Sequence, residues 1–419
     1  MGPLLLSISA LLFGVGLLLL GNGMLGTLIG IRLALDNVPT LATGVIMAAY
    51  FAGLLAGSLY AGRMIGRAGH IRAFSAFASV FSAATLAHVL FGSPVAWGVL
   101  RLIEGFCMAG LFMCIESWLN ARADNATRGA VLSIYMYVLY AAQGLGQFLL
   151  NLADPRQATL FILASILLSL ALVPVALTRS PQPDPREPGP FGLGALIRIS
   201  PLGIAGALVS GLALGSLYSL APAFAHAVGL DVAGTARFVG AFILGGLILQ
   251  WPLGRLSDRM DRRWVIAAVA AMLAVFSAAT LLSAGESRIA LWPLAIGIGG
   301  TAFTLYPLSV AHANDRISPE DMVPASGGLL LAYGAGATAG PLVSSLVMWW
   351  IGPTGLFVFT GAAALAVAGF SVYRVTQRAR APVEGQGPFR PLPRTTLAAS
   401  ELDPRGSEDG VGESDSILR

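Results

Sequence analysis

Three ionisable residues share one long apolar stretch, Arg101, Glu104 and Glu116 in RLIEGFCMAGLFMCIESWLN. A charge at the centre of a bilayer costs about 2.5–3.5 kcal/mol on insertion scales, so such side chains face a partner or a polar cavity. On a helix turning about 100° per residue, Arg101, Gly105, Met108, Phe112 and Glu116 fall in one arc, with Glu104 beside it. The chemistry open to this set is proton binding. A carboxylate at Glu104 or Glu116 takes up and releases a proton, and Arg101 tunes it or meets an anionic group of a solute. Arg101 and Glu104, three apart, can pair along the helix. The competing reading makes all three structural, locking this helix to its neighbours. Glu116, about 22 Å along the axis from Arg101, is also placed for an ion pair with Arg63 or Arg67.

A second polar set follows at helical spacing. Ser133, Tyr137, Tyr140, Gly144, Gln147 and Asn151 recur at steps of 4, 3, 4, 3 and 4, a stripe that lipid would force inward. It either lines a solute path with hydroxyl and amide groups or packs helix on helix. Asn22, Gln143 and Tyr306 are further candidates for the path. His88 and His226 stand near helix ends and read as interfacial. The four histidines are scattered, so no metal-ligand cluster is legible. Cys107 and Cys114, about 10.5 Å apart along one helix, are too far apart for a disulfide.

The elements that position these residues follow from composition. Of 419 residues, 56% are apolar and 11% charged, against about 25% charged in soluble proteins. Apolar runs of bilayer-spanning length recur to about residue 374, and continuous runs of about 20 suit helices rather than barrel strands. Punctuation by charge, Pro and Gly gives twelve, near 7–32, 38–62, 72–92, 95–119, 129–151, 157–178, 200–227, 233–255, 263–284, 288–311, 322–350 and 354–374. The first run is longer than a signal-peptide core and is taken as a retained helix. Gly2 opens no myristoylation motif, because position 6 is Leu.

All 25 basic residues are arginine. Most, including Arg63, Arg67, Arg72, Arg122, Arg128, Arg179, Arg255, Arg259, Arg262, Arg263, Arg316 and Arg374, fall on alternate connections, whereas the opposite connections hold Arg32, Arg156 and Arg288. The positive-inside rule then puts both termini in the cytoplasm of a plasma membrane, multi-pass. The net charge of +4 calls for no nucleic-acid partner.

The chain reads as a six-helix bundle over 1–178, a cytoplasmic linker over 179–199, a second six-helix bundle over 200–376 and a disordered, polar cytoplasmic tail over 377–419. The halves repeat. Adding 192 to Gly62, Arg63 and Arg67 lands on Gly254, Arg255 and Arg259, and adding 193 takes Tyr140 to Tyr333. Internal repeats of this kind mark transporters built from two related bundles about a midplane site.

On these residues the chain resembles the major facilitator superfamily. GRLSDRMDRRW at residues 254 to 264 is similar to that superfamily's loop motif between helices 8 and 9, and RLIEGFCMAG to its R-x-x-x-G motif in helix 4. ESWLN with RGAVLSIYMYVLYAAQGLGQ resembles the bacterial YcaD-like branch. The first-half loop copy departs from the motif, with Gly66 where the second has Asp258, and the G-x-x-x-G-P pattern of helix 5 is missing. The resemblance implies an all-α integral membrane fold of twelve transmembrane helices in two pseudo-symmetric six-helix bundles. It implies a coupling role for Arg101, and a cytoplasmic gate at Arg63, Arg67, Gly254, Arg255, Asp258, Arg259 and Arg128, in which Asp258 latches onto the start of helix 5 near Thr127 and Arg128.

The expectation is therefore a secondary active transporter of a small organic solute, working by alternating access with a proton as coupling ion, without cofactor, as a monomer in the lipid bilayer. A uniporter of the same fold is the alternative. An integral membrane enzyme is the remote one, since no H-E-x-x-H, H-x-x-x-x-D or phosphate loop is present.

Overall fold

The computed structural model describes residues 2–124, 127–177, 193–283, 288–318, 321–377 and 387–403. Twelve helices are long and apolar enough to cross a membrane among the described residues. They are α1 (Gly2–Leu35), α2 (Thr40–Ala68), α3 (His70–Leu90), α4 (Pro94–Arg122), α5 (Arg128–Phe148), α6 (Thr159–Leu170, running on as Leu172–Leu177), α7 (Pro201–Ala227), α8 (Val232–Arg259), α9 (Arg262–Ser283), α10 (Leu291–Asn314), α11 (Met322–Ile351) and α12 (Gly355–Gln377).

Local sequence explains where they start and turn. Pro94 and Pro201 open α4 and α7, where a missing N–H is no loss. Asp231 caps α8 by accepting from the Gly234 N–H at 2.7 Å. The loop expected between helices 2 and 3 shrinks to Gly69, whose φ of +81° reverses the chain in one residue. Within the expected linker, Leu193–Ile199 forms a short helix; residues 179–192 lie outside the described residues.

Lipid supplies no hydrophobic force between helices, so association rests on close van der Waals packing at small residues. In the first half α2 and α4 touch backbone to backbone. A Cβ on Gly105 would sit 1.9 Å from the Tyr50 carbonyl, and one on Gly53 2.0 Å from that of Leu102. The second half repeats this seam between α8 and α10, at Gly245, which is 192 positions after Gly53, and at Gly299, 194 after Gly105. These paired glycines carry the internal repeat more directly than the arginine loops do.

The halves meet through α2 with α11, α5 with α8, and α1 with α7. Away from the arginine-rich face, they are tightly joined: Gly44 packs on Pro341 and Ser345, and Gly30 on Pro222. Toward the arginine-rich face the seam is occupied by Gly387–Asp403, which ends in a 3-10 helix at Leu397–Leu402 packed on α4, α5 and α11. This corrects the expectation of a disordered tail for these residues. Phe389, Leu392, Ala399 and Leu402 are buried there, anchors that an extended segment without helical period does not announce. Residues 378–386 and 404–419 lie outside the described residues.

Candidate functional site

A cavity of about 150 Å³ lies between the halves. Asn22 of α1, Tyr50 of α2, Arg101 of α4, Tyr140 and Gln143 of α5, Tyr218 of α7 and Tyr333 of α11 line it, with Arg394 and Thr395 of the tail. Neighbouring polar groups hold one another. Tyr50 donates to Asn22 Oδ1 at 3.3 Å and Tyr218 to Gln143 Oε1 at 3.3 Å.

On its first-half wall sits a buried charge cluster. Arg101 donates to Glu104 Oε2 at 2.8 Å, and its guanidinium lies 4.1 Å from the centre of the Tyr50 ring. Glu104 is fully buried. Its other oxygen lies 3.1 Å from His88 Nε2 on α3 and accepts from Thr85 at 3.4 Å. Trp97 and Phe161 pack against the imidazole and seal it from lipid. His88 is therefore not interfacial, as its position near a helix end suggested, but a buried partner of the acid. The helix-4 pattern fixed the face of Glu104; only the packing of α3 on α4 supplied the imidazole.

Glu116 makes no ion pair with Arg63 or Arg67, which are exposed. Its carboxylate is fully buried and accepts from the Tyr135 hydroxyl at 2.8 Å and from the hydroxyls of Thr395 and Thr396. Asn120, one turn on, donates to the Ala398 carbonyl and to Glu401 at 3.3 Å. The acid at the arginine-rich end of α4 thus binds the tail.

The α5 stripe divides. Tyr140 donates to Gln250 of α8 at 2.8 Å, and Gln147 lies against Gly240 while its amide donates to the Gly23 carbonyl at 2.8 Å. Gln147 therefore serves the seam of α1 with α5 rather than the cavity. Ser133 and Tyr137 are exposed, while Gly129, one turn before Ser133, faces Arg390 of the tail. Tyr306 is buried edge-on against Tyr333, ring centres 5.2 Å apart, beside Leu392, Pro393 and Thr396.

The expected latch of Asp258 on α5 is also replaced. Asp258 accepts from Arg262 at 3.0 Å and from the Phe389 N–H at 2.8 Å. Thr127 turns back instead, its N–H donating to Asp124 at 2.9 Å. The Phe389 ring covers Gly254 so closely that a Cβ there would lie 2.2 Å from it. Arg255 stacks on Trp251 at 3.5 Å, and Arg259 is exposed. Arg128 reaches no acid among the ion pairs of the described residues. The tail occupies the gap that the latch would close.

Two six-helix halves, joined at one face and parted at the other around a shared cavity, form a recurrent transporter architecture. A family model described as Major Facilitator Superfamily matches residues 11–323 and 204–402. The chain belongs to the major facilitator superfamily. It is 29% identical over 381 residues to an uncharacterized MFS-type transporter of Yersinia pestis, covering 90% of this chain and 97% of that one. It is 29% identical over 350 residues to the uncharacterized MFS-type transporter YcaD of Escherichia fergusonii, covering 83% and 90%. Its fold is similar to a crystal structure of the nucleoside transporter NupG, with a TM-score of 0.72 at 13% identity over 89% of this chain and 100% of that one. This superfamily member is a multi-pass membrane protein, and its relatives are named transporters, not enzymes. No group of three or more metal-ligating side chains occurs among the described residues.

Tyr50, Tyr218, Phe303, Arg394, Thr395 and Thr396 join the site without any spacing in the sequence that marks them for it. Tyr333 was within reach, because it stands 193 positions after Tyr140 in the repeat.

Proposed function

We propose that the protein is a secondary active transporter that carries a small organic solute by alternating access, with the proton as coupling ion. The arginine-rich face is cytoplasmic in this reading, as the positive-inside rule requires, and the protein works in the plasma membrane as a monomer. The two halves rock about the cavity. Parting the contacts of Gly44 with Ser345 and of Gly30 with Pro222 opens the outer side, while α5 and α8 close over the inner one.

One observation supports the coupling: Arg101 borders the cavity while its charge is balanced by a buried carboxylate that also meets His88. Protonating Glu104 removes the charge that holds Arg101, so the guanidinium becomes free to turn toward a second arrangement of α4. Solute movement and proton uptake are thereby linked through one side chain.

The test is flux in proteoliposomes, with a solute selected by thermal-shift screening. A pH gradient should accelerate wild-type flux, and Glu104→Gln should lose that acceleration while still exchanging solute down its own gradient. Equal acceleration in Glu104→Gln would refute coupling at this acid. Flux indifferent to the gradient in both proteins would favour the uniporter.

A further inference from the structure

The tail does more than cover the cavity, because it delivers a charge into it. Arg394 reaches a ring of aromatic side chains contributed by both halves. Its guanidinium lies 4.5 Å from the Phe303 ring centre and 5.8 Å from that of Tyr333, and it donates to the Tyr140 hydroxyl at 3.2 Å. Tyr218 packs edge-on against Phe303 at 5.9 Å, and Tyr306 against Tyr333 at 5.2 Å, so the rings brace one another. No carboxylate lies within ion-pair distance of Arg394 among the described residues. The cation is held by π-faces and a phenol. Those are the elements that recognise guanidinium and alkylammonium groups, because the negative face of the ring attracts a positive charge that has shed its water.

The electrostatics of the helical walls agree. Arg101 is matched by Glu104, and Glu116 adds a second carboxylate at the inner mouth, so the buried acids of α4 outnumber its one buried base. Thr395 and Thr396 are bound by that second carboxylate, which fixes the tail so that Arg394 points inward. Once the tail is displaced, Arg101 is the cation left among the described lining residues, and it is already held by Glu104, so a small organic anion meets no unpaired positive charge there.

We propose that the ring of Tyr140, Phe303 and Tyr333 is the recognition site for an organic cation, the guanidinium or alkylammonium head of the transported solute, and that Arg394 occupies it as the chain's own stand-in. This rests on the transporter reading and names its substrate class. A tethered competitor acts at a local concentration in the millimolar range, so solute binds only when the tail is displaced. The tail is then both lid and inhibitor.

The experiment uses full-length protein and three probes of similar shape: butylguanidinium, neutral butylurea and anionic butyrate. Binding to detergent-solubilised protein is measured by calorimetry, separately from flux. Arg394→Gln should bind butylguanidinium at least tenfold more tightly than wild type and at least tenfold more tightly than it binds butylurea or butyrate. Arg394→Lys, which keeps the charge, should bind the probe as weakly as wild type and controls for folding. Phe303→Leu in the Arg394→Gln chain should weaken butylguanidinium at least fivefold. Equal affinities in wild type and Arg394→Gln, equal affinity for butylurea, or no effect of Phe303→Leu would each overturn the proposal. Butylguanidinium bound but never moved in proteoliposomes would leave the cation site standing and sink the transporter reading. Flux of neutral or anionic solutes by a protein that ignores butylguanidinium would do the reverse.

Discussion

Replacing Glu116 by Ala should release the tail. The fully buried carboxylate accepts from Thr395 and Thr396, and hydrogen bonds to a charged group are worth about 1.5–3 kcal/mol each. Burial of the acid opposes this, so the lower end applies and the two bonds together hold the tail by about 3 kcal/mol. At about 1.4 kcal/mol per tenfold, the population with its tail out should rise roughly 150-fold. Glu116→Gln keeps one acceptor oxygen, and roughly half the loss, near tenfold, is expected. Trypsin reads this population. Arg390 precedes Pro391 and resists cleavage, whereas the Arg394–Thr395 bond is cleavable only when the tail has left the cavity. With protease dilute enough that the tail recloses faster than it is cut, the rate at that bond tracks the open fraction. Mass spectrometry should therefore show cleavage after Arg394 faster by about two decades in Glu116→Ala and one in Glu116→Gln. A Glu116→Ala rate within twofold of wild type would refute the assignment of Glu116 as the tail's anchor.

Two more outcomes follow from packing and charge. A Cβ at Gly105 or Gly299 would lie 1.9 or 1.8 Å from a facing carbonyl, against at least 3.4 Å for ordinary contact. Gly105→Ala and Gly299→Ala should each cost about 1–3 kcal/mol or more, seen as lower melting in detergent. Gly98→Ala, with nothing within 4 Å, should gain up to about 1 kcal/mol from helix propensity; the same melting temperature for all three would refute the close seams. Asp261 immediately precedes α9, and although burial opposes its charge, the N–H and guanidinium of Arg263 hold its carboxyl below the usual Asp range. Its stabilising share is complete above the unfolded value of 3.8 and lost as pH falls through the lower folded value. Asp261→Asn keeps the capping oxygen but loses the charge that Arg263 meets, so it should melt below wild type at neutral pH by about 1 kcal/mol, the difference between a charged and a neutral hydrogen bond, and the gap should narrow in acid; a gap independent of pH would contradict the Arg263 contact.

The helices were legible because lipid leaves the backbone no other way to satisfy its hydrogen bonds, so each span announces itself as an apolar run. The repeat was legible too, since symmetric halves reuse residues at matching positions, and Arg101 with Glu104 stood out because buried charge is rare in such runs. Periodicity names a face of a helix without naming what that face meets. That is why Tyr137 looked like a cavity residue and is exposed, and why His88 looked interfacial and is buried against Glu104. The aromatic ring around Arg394 draws on α5, α10 and α11, residues 140, 303 and 333, which no local pattern could join.

Apolar runs, repeated residues and charge placement along the chain specify a twelve-helix membrane protein of two related halves, with most of its arginines on one face and ionisable residues inside its fourth helix. Which groups those charges meet, and the place of Gly387–Asp403 in the site, follow from the packing of distant segments. The reason is physical. Membrane insertion is a property of each segment alone, so it is written locally, whereas a cavity is formed by side chains from many segments, and a polar extended tail declares its place only when a complementary surface receives it.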